Sequence, residues 1–321
     1  KGYPTLGADN IAPMQAAIKR YTDIVAKGGW QAVPDVQMQI GAGGEAVAIL
    51  NQRLLMSGDL KELSSYASNF DFYTEKAVKR FQASNGLTPT GVVDKRTIAA
   101  LNVPAAVRLK QLKSNLGRLT DLSRQVGKTG RYVLVNIPAA QIEAIENGQV
   151  ASRHSGVVGK QDRQTPILRS AIHELNFNPV WHVPPTVIEK DLVPKGQQMS
   201  RANQDVLAKY KIDAYDGSGK KLDSSRIDWN SPSSRNLTFK QQPGPENPMG
   251  FVKVNFANAH SVYMHDTPSD SLFGRNFRAA SSGCVRVQGI DKFVAWLMAP
   301  EGGTLERVQA TRRPRHPPPR S

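Results

Sequence analysis

Residues 260–287 read HSVYMHDTPSDSLFGRNFRAASSGCVRV, and this stretch decides the fold of the C-terminal half. Its opening alternates: Val262 and Met264 fall on one face of a strand, Ser261, Tyr263 and His265 on the other. The apolar pair belongs in a core, which puts His265 in whatever cleft lies opposite. His260 has the opposite parity and is the weaker candidate. Nineteen residues after His265 comes Cys284, inside Ser281-Ser282-Gly283-Cys284-Val285-Arg286. A glycine just before a nucleophile lets the backbone turn tightly and a substrate carbonyl approach. Consecutive N–H groups at Gly283 and Cys284 can bind the oxyanion of a tetrahedral intermediate. A thiol near its ordinary pKa is mostly protonated at neutral pH, and an adjacent imidazole can take that proton. Cys284 is the only cysteine of 321 residues, so it has no internal disulfide partner; the bland alternative is a small buried hydrophobe.

Outward from this stretch the pattern stays β. Residues 131–159, RYVLVNIPAAQIEAIENGQVASRHSGVVG, alternate apolar and polar side chains around turns at PAA and NG, which predicts antiparallel strands. SAIHELNFNPVWHVPP (170–185) continues them. Residues 186–250 break the pattern with VLAKYKIDAY, DGSGKKL and QQPGPENPMG, and are expected to form an insertion with small elements of its own. Strands resume at 251–268, and GIDKFVAWLMAP (289–300) is a closing amphipathic helix.

The N-terminal third is helical. IAPMQAAIKRYTDIVAKGGW (11–30) predicts a helix that stops at Gly28-Gly29. Helical spacing of Val47, Leu50, Leu54 and Leu55, then of Ala77, Val78 and Phe81, then a short helix after Val93-Asp94, gives a compact three-helix unit. A long helix from Pro104 to about Arg124 leads onward, with proline where its missing N–H costs nothing.

The chain carries 42 Lys and Arg against 27 Asp and Glu, a net charge of +15. Residues 104–132 hold seven cations against Asp121, and the tail TRRPRHPPPRS adds four arginines. Neither segment interleaves cations with exposed aromatics as single-strand binders do. The excess therefore points to an acidic matrix and not to nucleic acid, with a solvated surface as the alternative. No apolar run is long enough to cross a bilayer. The first residues, KGYPTLGADN, lack a signal-peptide pattern, and a start at Lys1 fits a processed or trimmed chain.

Two resemblances attach to these residues. GGEAVAILNQRLL with AVKRFQASNGLTPTGVVDKRTIAALN resembles the peptidoglycan-binding domain-1 family of three-helix modules, which implies adhesion to the cell wall. His265, then Ser-x-Gly-Cys-x-Arg, resembles the signature of the YkuD-type L,D-transpeptidases. The match extends through NFNPVWHVPPTVIEKDLVPK, and the order of modules is that of the family's larger branch, which carries an inserted lid. The resemblance implies a multidomain α+β fold: a helical scaffold (1–42), a peptidoglycan-binding module (43–103), a linking helix (104–128), a mostly antiparallel β catalytic domain (129–305) with a lid at about 186–250, and a disordered basic tail (306–321).

It implies Cys284 as nucleophile, His265 as general base, and the Gly283 and Cys284 amides as the oxyanion hole. Arg286 is a candidate for a substrate carboxylate, with a structural ion pair as the alternative. Tyr263 and Trp181 are candidates to line the donor cleft, with core aromatics as the alternative. Ser282 stands where short members of the family often have His, and its role stays open. Asp266 is adjacent to His265 and points to the other face, so a backbone carbonyl is the expected partner of the imidazole. The implied substrates are peptidoglycan stem peptides, as donor and acceptor, in a periplasmic, wall-associated setting bearing on cell shape, with other cell-wall synthases as candidate partners. Acylation of Cys284 by carbapenems is implied as well. Release of the thioester to water or to a lipoprotein amine, and a non-catalytic wall-binding scaffold, are the competing functions. No metal or cofactor is implied, since His260, His265 and Cys284 match no common zinc spacing.

Overall fold

The computed structural model describes residues 2–312, which divide into two compact units, 2–133 with 145–151 and 274–276, and 134–144 with 152–273 and 277–312. The first is helical: α1 (Ile11–Ala26), α2 (Glu45–Ser57), α3 (Phe72–Ser84), α4 (Lys95–Leu101) and α5 (Ala105–Gln125). Asp71 and Asp94 cap α3 and α4 by accepting from the Thr74 and Thr97 amides at 2.9 and 2.8 Å. The apolar stripes of α2, α3 and α4 close over Leu50, Leu54, Val78, Phe81 and Leu101. Val33 and Met38, which precede the module expected from residue 43, join this core, and Met38 bridges to Val93. The signal was hidden because Pro34 and the glycines interrupt any period there.

The second unit is built on a sheet of β1 (Arg131–Asn136), β2 (Gln141–Glu146), β3 (Gln149–Gly159), β4 (Ile172–Phe177), β8 (Val252–Phe256), β9 (Met264–His265), β10 (Ala279–Ser281) and β11 (Val285–Val287). Its order is β1-β2-β3-β11-β9-β8-β4, with β10 beside β3. The division between units cuts across β1, β2 and β3. Pairing is antiparallel at β3–β11, β8–β9 and β4–β8 and parallel at β9–β11 and β3–β10. Met264 is buried, as the alternation required, while Val262, the other residue of the expected core face, is only half-buried; Val254, Val285 and Val287 are buried beside Met264. Helix α9 (Ile290–Met298) sets Phe293 edge-on against His154 of β3 at 5.4 Å.

The insertion has its own core. Strands β5 (Trp181–His182), β6 (Ile212–Tyr215) and β7 (Thr238–Gln241) form a three-stranded sheet in the order β5-β7-β6. With α6 (Pro185–Val187), a π turn over Ile188–Leu192, α7 (Val193–Arg201) and α8 (Val206–Tyr210), they enclose Leu192, Val193, Leu207, Trp229 and Phe239. The subdomain starts at Trp181, before the expected 186, because Trp181 and His182 pair with Gln241 and Lys240. The tail differs from expectation at its start: α10 (Leu305–Ala310), capped by Thr304, buries Val308, and residues 313–321 lie outside the described residues. No helix among the described residues is long and apolar enough to cross a membrane.

Candidate active site

The register of three strands assembles the site. Parallel pairing of β11 with β9 sets Arg286 opposite His265 and Val285 opposite Met264, which leaves Cys284 beside Tyr263. The Val285 amide donates to the Tyr263 carbonyl at 3.1 Å. Paired residues share a face, so Tyr263, His265, Cys284 and Arg286 project from one side, with Lys253 joining from β8 opposite His265. Cys284 and His265 are two residues off register, roughly 8 Å between Cα atoms for strands of ordinary spacing. That span lies within reach of the two side chains.

Strand β9 is shorter than the alternation implied. Ser261 has φ 54° and sits in a turn that the Asn258 side chain closes onto the Val262 amide and carbonyl, so it does not share the face of Tyr263 and His265. His260 lies exposed on that turn. His265 is 6% exposed, and its Nδ1 bonds to the Asp266 carbonyl. A carbonyl only accepts, so Nδ1 carries the ring proton and Nε2 the lone pair of the neutral ring, and the Pro248 carbonyl also lies against the imidazole. Asp266 turns away, as expected, and its Oδ2 accepts from the Phe251 amide at 2.9 Å. Residue 250 has to be glycine for this: φ is +60°, and a Cβ there would stand 2.2 Å from Asp266 Oδ2.

Cys284 is half-buried. The Tyr263 hydroxyl faces its thiol, and Trp181 Nε1 donates to that hydroxyl at 3.2 Å, leaving the phenol's own proton free for the sulfur. Lys253 Nζ sits 4.2 Å from the Tyr263 ring centroid. Among the described residues no hydrogen bond joins the thiol to His265. Arg286 is half-buried, its Nε has no partner, and no described carboxylate pairs with it. Ser282 is exposed and accepts from Arg163 Nη1 at 2.9 Å.

Of the two amides expected at the oxyanion, that of Gly283 is engaged within the chain. Gly283, at φ +120°, gives its N–H to Ser281 Oγ at 3.1 Å, and Ser281 Oγ donates in turn to the Cys284 carbonyl at 2.6 Å. The Cys284 amide has no partner among the described residues. Ser281, Lys253, Arg163 and Thr165 entered the site from the structure. Nothing local in the sequence marks them, since each acts through a partner distant in the chain or, for Ser281, through a rotamer that two adjacent serines do not distinguish.

Electrostatics keep the resting groups neutral. Burial pushes His265 down to about 4, reinforced by the Arg286 and Lys253 cations and opposed by the Asp266 and Pro248 carbonyls. Burial pushes the Cys284 thiol up, against the pull of Tyr263, Lys253 and Arg286. Burial also holds Arg286 below the usual arginine range and Tyr263 above the usual phenol range. The resting state is therefore a neutral thiol and a neutral imidazole, with no preformed ion pair. Alkylation of the free protein by iodoacetamide, followed by mass spectrometry, should speed up continuously as pH rises past 8. A plateau already reached near pH 6 would show a thiolate–imidazolium pair instead.

Comparison with known proteins finds two family matches along the chain. The L,D-transpeptidase catalytic domain family (YkuD) matches residues 130–308, and a "Putative peptidoglycan binding domain" matches 43–101. A Haemophilus influenzae protein called "Putative L,D-transpeptidase" is 31% identical over 175 residues, which are 54% of this chain and 35% of that protein. The chain thus spans about a third of the length of this curated relative. Solved L,D-transpeptidase structures from Stackebrandtia nassauensis (14% identity, TM-score 0.33, covering 81% of this chain and 89% of that one) and Xylanimonas cellulosilytica (18%, 0.27, 81% and 90%) are also similar.

Proposed function

The chain belongs to the YkuD family of L,D-transpeptidase catalytic domains, and from that premise we propose that it is a cysteine acyltransferase building 3→3 crosslinks in peptidoglycan. The observation that carries this is the shared face of Cys284, Tyr263, His265 and Arg286 beside an unpartnered Cys284 amide. Cys284 Sγ attacks the carbonyl of the third residue of a tetrapeptide stem, a diaminopimelate, as Nε2 of His265 takes the thiol proton. The oxyanion forms against the Cys284 amide, and the Gly283 amide joins it if Ser281 Oγ rotates away. The C–N bond to terminal D-Ala breaks, and its amine leaves with the proton from His265. A side-chain amine of a second stem then attacks the thioester, loses a proton to His265 and releases the thiol.

Proton transfer is coupled to attack, because a neutral imidazole of low basicity does not ionise the resting thiol by itself. The unpaired Arg286 guanidinium supports capture of a stem carboxylate, which would make bidentate hydrogen bonds. Trp181 and Tyr263 would line the donor cleft, and Ser282 would flank it. The helical module would hold the enzyme on the wall, where other synthases work, and the cationic excess suits an acidic periplasmic polymer.

Product analysis on purified disaccharide-tetrapeptide tests the proposal. Dimers that have lost one D-Ala are expected. Tripeptide alone would make the chain a carboxypeptidase, and no product with folded protein and an acceptor present would favour a wall-binding scaffold.

A further inference from the structure

The geometry points to Thr165 as the positioning residue that aims the Cys284 amide, an inference that rests on the acyl-transfer proposal above. Thr165 Oγ1 donates to the Gly283 carbonyl at 2.7 Å. The Gly159 amide donates to the same oxygen at 2.9 Å, so the hydroxyl is fixed from behind and its one proton goes to Gly283. The Gly283 carbonyl and the Cys284 N–H belong to one trans peptide plane and point in opposite directions. Anchoring the carbonyl therefore fixes where the amide points, and Thr165 holds it from the far side of the reacting atoms.

The anchor is needed because Gly283 sits at φ +120°, which no side chain of its own restrains. It is also part of a wider brace. Lys160 N donates to the Ser281 carbonyl at 3.0 Å, and Arg163 Nη1 donates to Ser282 Oγ. Three residues of 160–165 thus bond three successive residues, 281, 282 and 283. The Arg163 side chain is 6% exposed and also donates to Asp191 Oδ2 of the inserted subdomain at 2.7 Å. The loop beside the nucleophile is held by this segment more than by its own short sequence.

The test compares Thr165→Val with Thr165→Ser in the full chain. Valine keeps the shape and loses the proton; serine keeps the proton. Acyl transfer from disaccharide-tetrapeptide should fall about 30-fold in kcat for Thr165→Val with KM within about twofold, and Thr165→Ser should recover to within about threefold of the parent. Iodoacetamide alkylation of Cys284 should stay within about twofold in both variants, since displacement at a saturated carbon forms no oxyanion. Hydrogen exchange at 282–285 should quicken at least about tenfold in Thr165→Val and return in Thr165→Ser. Parent-like kcat, parent-like exchange, or acylation and alkylation falling together with the melting temperature would each overturn the assignment. A parent protein that forms no acyl-enzyme would defeat the acyl-transfer proposal, while the exchange measurement would still decide whether Thr165 fixes the loop.

Discussion

Replacing Cys284 by alanine is expected to lower acyl transfer on the order of 10⁵-fold while the melting temperature stays within a few degrees of the parent. The size follows from what the sulfur does. Without it no covalent intermediate forms, and the amide donor and bound substrate retain only the modest acceleration left when a nucleophile is removed from an intact site. Stability should barely change because the loop is held by backbone and hydroxyl groups that the substitution leaves alone: Ser281 Oγ to the Cys284 carbonyl and Thr165 Oγ1 to the Gly283 carbonyl. Loss of one half-buried sulfur atom costs about 1 kcal/mol. Intact mass after incubation with a stem-peptide donor should show a thioester adduct on the parent and none on the variant. Crosslinked product from Cys284→Ala at even a hundredth of the parent rate would remove Cys284 from the chemistry.

The strand alternation that exposed this site in the sequence worked where the chain is regular and failed where a side chain bends it. Met264 and His265 kept their opposite faces because β9 is paired on both sides, by β8 and β11. Ser261 left the pattern because Asn258 caps a turn with positive φ, and a polar residue in a turn looks no different from one on a solvent face. The helical core showed through Val47, Leu50, Leu54, Val78 and Phe81, whose spacing is periodic, but not through Val33 and Met38, which enter from a segment with no period.

Pairing direction was the least legible feature. The parallel contact of β9 with β11 is made across a connection without regular helix, and it is this contact that brings Cys284 beside Tyr263. The two amides expected for the oxyanion were inferred from Gly283-Cys284 alone. The competing acceptor, Ser281 Oγ, is only two residues away, yet its rotamer is set by the Cys284 carbonyl and is invisible in one dimension.

Replacement of His265 by asparagine should remove the proton acceptor and leave a trace in stability that reports the burial of the neutral imidazole. Activity should fall on the order of 10³-fold or more, because the thiol lies above its ordinary pKa and the proposed acceptor of its proton is gone. The acid side of the stability curve carries the second signature. Folded His265 titrates at about 4 and the unfolded residue at 6.5. Above 6.5 both states are neutral, and the residue's contribution is fully present. Between 6.5 and 4 the unfolded chain takes up a proton that the folded chain refuses, so stability falls as pH falls, by up to about 3 kcal/mol at 1.36 kcal/mol per unit. Below 4 both forms are protonated and this contribution is gone.

Asparagine does not titrate, so denaturant melts from pH 7.5 to 4 should give a shallower loss for His265→Asn, with the difference from the parent opening below pH 6.5. His154 and His182 are also held below the ordinary histidine range and are common to both proteins, so their effect cancels in that difference. Parallel curves for parent and variant would mean that the imidazole at 265 is neither buried nor neutral in solution, and a base role resting on the Nε2 lone pair would have to be given up.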